Sequence, residues 1–185
     1  MITASQLQQI TGPVCSIDRA EACLPALRSA LVVAGAHTVV RAATLLSQLI
    51  WETGQLRFLI ESEDAARAYE GRSDLGNTTV GDGVLYRGRG FLHLTGRANY
   101  RTFGTRIGVD LEAQPDLAAE LDIAALVTAS YWELHQLNAL ADVNDRRGVT
   151  KRINGAATDE APSYFLRRER YYWKALEVFG SSALI

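Results

Sequence analysis

Cysteine is scarce: the 185 residues hold two, Cys15 and Cys23. Two thiols cannot build a disulfide framework, and their spacing fits no zinc motif, so buried free thiols are expected rather than a bridge. Histidine is almost as rare. His37, His93 and His135 stand far apart in the sequence, which speaks against a metal site. No glycine-rich phosphate loop follows a strand pattern, and no cofactor is expected. Long apolar runs are missing too. The longest, Ala30 to Ala36, is far too short to cross a bilayer, so no stable membrane insertion is expected. Nor is there a positive excess: a net charge of -2 argues against a tight nucleic-acid binder. Residues Met1 to Gly12 lack the basic stretch and apolar run of a secretory signal. That predicts a protein kept in the cytoplasm unless another agent releases it.

What is present is ordinary globular composition. Apolar residues make up 48% of the chain and charged ones 22%, which excludes the disordered class. The length suits one domain, or one domain with two lobes. Neither a repeat nor a low-complexity linker divides it. Two arginine-rich segments stand out, Arg87 to Arg106 and Arg146 to Arg152. Each is read either as a solvated face or as a patch that attracts an anionic polymer.

Helical periodicity dominates. Ser5 to Ile10 predicts a short helix stopped by Gly12 and Pro13. Asp18 is a candidate cap for a helix from Arg19 to about Val33, with Pro25 as a kink or break. From about Thr38 to Glu52, apolar residues Val39, Ala42, Ala43, Leu46, Leu49 and Ile50 recur at helical spacing, and Gly54 ends the run. Residues 71–91 are punctuated by Gly71, Gly76, Gly81, Gly83, Gly88 and Gly90. They predict a long loop with, at most, a short hairpin, and long loops in compact domains usually serve function. Further helices are expected over Gly96 to Ile107, from Asp116 through Leu137, over Thr150 to Asn154, and from Pro162 to Phe179. The fold is therefore expected to be mainly α with one glycine-rich insertion.

Glu52 sits in the last turn of the clearest helix, where the partial negative charge of the helix end disfavours a carboxylate. Glu61, Glu63, Asp64 and Glu70 follow just before the glycine-rich loop. Hydrolysis of a glycosidic bond generally needs two carboxyl groups, one protonated for the leaving oxygen and one to activate water or attack. By spacing alone, such a run of acids is more often a solvated face.

The segments Trp51-Glu52-Thr53-Gly54, Tyr69-Glu70-Gly71-Arg72, Gly81-Asp82-Gly83 and the unbroken stretch from Tyr86 to Tyr100 resemble glycoside hydrolase family 19. This family includes plant-type chitinases and phage endolysins. Val149 to Gly155 is similar to the family's Thr-Lys-x-Ile-Asn-Gly element, and the matches keep the family's order over roughly residues 35–175. The resemblance implies a lysozyme-like, chitinase-like helical domain over residues 1–185. It implies a smaller lobe from about 53–90, a substrate cleft between the lobes, and no separate wall-binding domain.

By the same resemblance Glu52 is the general acid, in a partly apolar setting to which Trp51 and Leu56 contribute. The second carboxylate is Glu61, as in the phage branch, with Thr150 holding the attacking water, or else Glu70, as in the plant branch. A salt bridge from Glu70 to Arg72 or Arg87 that orders the loop is the structural reading of Glu70. Thr95 stands near the catalytic water or caps the helix after Gly96. Asn99 and Tyr100 line the sugar groove, Asn154 binds an acetamido group or hydroxyl, and Arg168 or Arg167 matches a buried arginine near the acids. His93 replaces the family's usual Gln and either bonds a sugar or sits satisfied in the core. After Gly155 the family's second glycine and its Gly-Leu-x-Asp-Arg element are replaced by Ala156 to Ser163, which touches the far subsites.

The function implied is an endolysin with muramidase activity on the β-1,4 links of bacterial peptidoglycan. It would be a monomer, held in the host cytoplasm until a holin pore admits it to the wall. An inverting mechanism goes with this, with carboxyl groups about 6.5–9.5 Å apart. A chitinase is the nearest alternative, and a glycan-binding module on an inactive scaffold is the alternative from another class.

Overall fold

The structure, a computed structural model, describes residues 1–154 and 162–180, with side chains of the last segment given from Phe165 onward. Among these residues there are ten α-helices, three short 3₁₀ turns and no strand. Isolated bridges pair Arg89 with Ile60 and with Leu94, and these are all that the expected hairpin amounts to.

Helix α1 (Ala4–Thr11) is opened by a reciprocal capping box between Thr3 and Gln6. Helix α2 (Ile17–Val33) is capped by Ser16, whose hydroxyl accepts from Arg19 N–H at 3.1 Å, and not by the expected Asp18. Asp18 lies in the first turn instead, where its charge faces the positive helix end. Pro25 sits inside α2 without ending it.

Helix α3 (Val39–Glu52) runs through the centre of the molecule. It packs on the last helix, α10 (Pro162–Gly180), and on α8 (Leu137–Asp142). Ala42 through Ile50 are all buried, so the helix is enclosed on every side. Its polar residues are satisfied inside: Thr44 and Ser47 donate to the carbonyls of Val40 and Thr44, and Gln48 bonds Thr150. Each buried Leu contributes about 1.5–3 kcal/mol of transfer free energy, so the end of α3 is a firmly fixed point from which to present a side chain.

The helix expected from Asp116 to Leu137 is three elements. A 3₁₀ turn (Pro115–Ala119) precedes α7 (Leu121–Leu134), and α8 follows after Gln136 at φ 53°. Asp116 does not cap; its carboxylate pairs with Arg89 at 2.7 Å. The segment around Thr150 is longer than expected, as α9 (Arg146–Asn154). Helix α6 (Arg97–Ile107) lies where the sequence placed it and packs on α7.

Buried apolar residues form two clusters. The larger is built from α1, α2, α3, α10 and parts of α7 and α8, and includes the free thiols Cys15 and Cys23. Burial pushes the Cys23 thiol above its ordinary range. The smaller holds Tyr86, Leu94, Tyr100, Phe103, Leu111, Ala118 and Val127. Within 53–90, Leu56 belongs to the larger core and Tyr86 to the smaller, and the segment has no core of its own. Tyr131 packs against both clusters and marks their junction.

The first arginine-rich segment is neither a free basic patch nor a merely solvated face. Arg87 pairs with Glu63, Arg89 with Asp116, Arg97 with Asp82 and Glu112, Arg101 with Glu112, and Arg106 with Glu133. Asp82 is the anchor. Its side chain is 1% exposed and accepts from Arg97 at 2.5 and 3.0 Å and from the amides of Thr78 and Thr79. Arg97 holds the Asp82 carboxyl below its ordinary range, and Arg101 and Arg97 lower Glu112 to about 2. Both acids have folded values below their unfolded ones. Their stabilisation is therefore complete above the unfolded pKa, about 4, and is lost as pH falls toward 2. Melting temperature should fall through this window, and Glu112→Gln should flatten the fall. An unchanged slope in that variant would rule Glu112 out as its cause.

Candidate active site

The chain turns sharply just after Glu52. Gly54, Gln55 and Leu56 follow one another at φ 54°, 61° and 66°, a left-handed run in which two of three residues carry side chains. Such residues cost of order 1 kcal/mol each or more and persist where the surroundings fix them. Here Thr53 accepts from Leu56 N–H at 2.9 Å and donates to Leu49 at 2.6 Å. Arg19 donates to the Leu56 carbonyl at 2.6 Å, and Gln55 donates to the Tyr171 hydroxyl. The strained turn thus sets how α3 ends and where Glu52 lies.

Glu52 is 17% exposed and bonded through Oε1 to Arg168 of α10, whose guanidinium is 2% exposed. The guanidinium groups of Arg167 and Arg168 both lie 5.5 Å from the Trp51 ring. The expected apolar setting is thereby corrected. Leu56 points into the core, and an arginine, not hydrocarbon, is the near partner of the acid. Arg168 touches Glu52 and does not line the groove described below.

Glu61 is half-buried and held at both oxygens: Tyr69 donates to Oε1 at 3.0 Å and Gly88 N–H to Oε2 at 3.2 Å. Its own amide donates to the Gly88 carbonyl at 2.9 Å. Gly88 is needed there, because a Cβ would stand 3.1 Å from Glu61 Oε2 and 3.0 Å from His93 Cβ. Glu70 is exposed and faces elsewhere. Its oxygens accept from the amides of Gly81 and Gly83 at 2.7 and 2.9 Å, which orders the 78–83 loop. That role was anticipated for Glu70, but with arginine partners. Instead Arg72 pairs with Asp74 and Arg87 with Glu63. Glu70 does not line the groove described below, whereas Tyr69, the hydrogen-bond partner of Glu61, does.

A groove of about 640 Å³ runs between the two hydrophobic clusters. Tyr69, Arg72, His93, Thr95, Asn99, Tyr131, Arg152 and Asn154 are among its lining residues. Two tyrosines tie it to the acids. Tyr131 is pushed up to about 12 by burial and by the nearby Glu52 carboxylate. Tyr69 is pushed up to about 12 by burial and by Glu61. Each candidate acid therefore lies within electrostatic reach of a tyrosine on the same groove.

His93, Thr95, Asn99 and Asn154 all line the groove. The His93 ring bonds the Phe58 carbonyl at 3.2 Å. Thr95 donates to the His93 carbonyl at 2.7 Å and does not cap α6, and Asn99 donates to the Thr95 carbonyl at 2.7 Å. Asn154 ends α9; Gly155 and the substituted stretch up to 161 lie outside the described residues.

Two residues do not reach it. Tyr100 is 0% exposed, its hydroxyl donating to the Arg87 carbonyl at 2.6 Å and accepting from Arg89 at 2.9 Å. It is a core residue, because position 100 falls on the face of α6 that packs on the small cluster. Thr150 is 3% exposed and exchanges hydrogen bonds with Gln48 in the interior, so it does not line the groove. The sequence reading missed Tyr131 and the roles of Tyr69 and Gly88, whereas Arg152 belongs to the second arginine-rich segment already singled out. The only signal was an aromatic residue eight positions after Glu61. Among the described residues no group of His, Cys, Asp and Glu could hold a metal ion.

Against known proteins, no protein-family model matches the chain. A glycosyl hydrolase family 19 domain-containing protein of Haemophilus influenzae is 40% identical over 91 residues, which cover 49% of this chain and 44% of that protein. Less than half of that relative's length is therefore matched. Among solved structures, chitinase C of Streptomyces griseus superposes with a TM-score of 0.74 at 21% identity, covering 97% of this chain and 76% of that one. A bacterial family 19 chitinase gives 0.69 at 21% identity over 94% of each chain. At such identity these two likenesses speak to the fold, while the Haemophilus match speaks to sequence. The chain therefore has the fold of these two family 19 chitinases, and over 91 residues its sequence is similar to that of the Haemophilus family 19 domain protein.

Proposed function

We propose that the chain hydrolyses β-1,4 links between the amino sugars of bacterial peptidoglycan, as an endolysin-type lysozyme. The observation that carries this is the pairing of two held carboxylates, Glu52 and Glu61, with tyrosines that line one open groove. In this reading Glu52, protonated, gives its proton to the glycosidic oxygen as the bond to the anomeric carbon breaks. Glu61 takes a proton from a water that attacks that carbon from the opposite face. Negative charge grows on Glu52 as its proton leaves, and the Arg168 guanidinium is already in place to meet it. Tyr69 and the Gly88 amide keep Glu61 from swinging, so that no reorientation precedes attack. Release to the wall through a holin pore, and action as a monomer, belong to the same proposal.

Peptidoglycan is favoured over chitin by Arg152. It lines the groove, is exposed, and uses one nitrogen for the His135 carbonyl at 2.7 Å, leaving the rest of its charge to the groove. Chitin has no carboxylate to offer it, whereas the lactyl and peptide groups of peptidoglycan do. The second reading, a chitinase, is favoured by the two similar structures, both chitinases. Arg152→Gln should raise KM on peptidoglycan about threefold to fivefold, the scale of one exposed charge contact, and shift it less on chitin oligomers. Parallel digestions of the two polymers by both forms check this. Equal losses on both would leave chitin as the better reading.

A further inference from the structure

A second groove, of about 570 Å³, lies between the end of α1 and the outer face of α10, and shares no lining residue with the catalytic cleft. Pro13, Val14, Gln55, Arg170, Tyr171 and Trp173 line it. Trp173 is 56% exposed, an unusual outlay for the most costly apolar side chain to leave in water. The ring is nevertheless fixed. Tyr172 meets it nearly edge-on at 5.2 Å, and the Arg146 guanidinium lies 5.4 Å from its centre. Arg146 is itself held by both oxygens of Glu169 at 2.5 and 2.8 Å.

A rigid, open indole is a stacking surface for the apolar face of a pyranose ring, with one end apolar and its rim wet. The Gln55 amide stands in the same groove to meet hydroxyl or acetamido groups. Arg170 is exposed and makes no ion pair among the described residues, which leaves its fork available to a carboxylate. Gln55 also belongs to the strained turn that follows Glu52, so a strand held here touches the turn that ends the catalytic helix.

We propose that this groove is a second glycan-binding site, taking an amino-sugar polymer that bears carboxylates, with Trp173 as its stacking platform and Arg170 as its charge contact. It holds insoluble polymer beside the cleft and takes no part in bond cleavage. The ligand class rests on the glycan reading given above; the site itself does not require catalysis.

The test is co-sedimentation of the full-length Glu52→Gln chain with purified insoluble peptidoglycan, alone and with Trp173→Ala, Trp173→Tyr or Arg170→Gln added. Trp173→Ala should weaken binding about tenfold, the scale of one lost stacking contact, and Trp173→Tyr should restore most of it. In the otherwise unaltered enzyme, Trp173→Ala should lower turnover of the insoluble polymer more than that of a soluble short oligosaccharide. Undiminished sedimentation of Trp173→Ala, or equal losses on soluble and insoluble substrate, overturns the second site while leaving the hydrolase reading intact. Failure of the parent chain to sediment at all overturns the second site, whereas failure of the unaltered enzyme to cleave peptidoglycan or the soluble oligosaccharide overturns the hydrolase reading. Circular dichroism of each variant separates a lost contact from a lost fold.

Discussion

Replacing Glu52 by Gln should lower glycan hydrolysis by about 10³-fold, the scale on which a positioned proton donor acts. A Gln keeps the shape and can still accept from Arg168, but it has no acidic proton to give. The same change leaves a buried guanidinium without its counter-charge, so the melting temperature should drop as well. Glu52→Asp separates the two effects. It keeps the charge for Arg168 while drawing the carboxyl back by one methylene, and a displacement of that order costs about 10²-fold when geometry governs the rate. Turnover should therefore collapse in both variants, with stability falling more in the Gln variant. Measuring rates well below both melting temperatures, on the same peptidoglycan preparation, makes the comparison clean. A Gln variant that still cleared walls would remove Glu52 from the chemistry.

Arg168→Leu should be the most destabilising single change in the site. The guanidinium is 2% exposed and bonded to a carboxylate that is itself only 17% exposed. Removing one member of a buried pair costs about 3–5 kcal/mol, and the partial exposure of Glu52 argues for the lower end. For a chain of this size about 3 kcal/mol corresponds to roughly 6–12 °C in melting temperature. Activity should fall in kcat more than in KM, since Arg168 touches Glu52 and is sealed from the groove. Arg168→Lys, which keeps charge but not the planar fork, should recover more stability than activity. A leucine variant with unchanged melting temperature and kcat would show that the pair neither supports the fold nor positions the acid.

How much of this was legible before the fold was known differs from residue to residue. The central helix was plain, since Val39 to Ile50 repeat with helical spacing and Gly54 stops them. Its place as an enclosed axis was not, because the burial of Thr44, Ser47 and Gln48, each satisfied by a partner inside, shows only in the fold. The break between α7 and α8 was hidden because nothing local marks it; Gln136 is left-handed without being a glycine. Around it Trp132 and Asn138, six positions apart, bond to each other at 2.9 Å, and Asn138 reaches across the fold to the Ala34 carbonyl at 2.6 Å.

The same division runs through the site. Motif resemblance picked out Glu52 and Glu61, and it picked out the groove residues His93, Thr95, Asn99 and Asn154. It also carried Tyr100 and Thr150 along, because a motif records which residues travel together and not which way each side chain points. Tyr100 travels with the groove but braces Arg87 and Arg89 from behind. Thr150 travels with the acids but bonds Gln48. The resemblance left the arginine near the acids open between Arg167 and Arg168, and only the fold shows that Arg168, 116 positions after Glu52, is the one that bonds it.

Digestion of purified peptidoglycan in water enriched in heavy oxygen, followed by mass analysis of the fragments, bears most directly on the claim that Glu52 delivers a proton to a glycosidic oxygen while Glu61 directs a water. The expected products are short saccharides that carry one heavy oxygen at each new reducing end, with their peptides still attached. Intact glycan strands with freed peptides, or fragments ending in an anhydro sugar without the label, would contradict it.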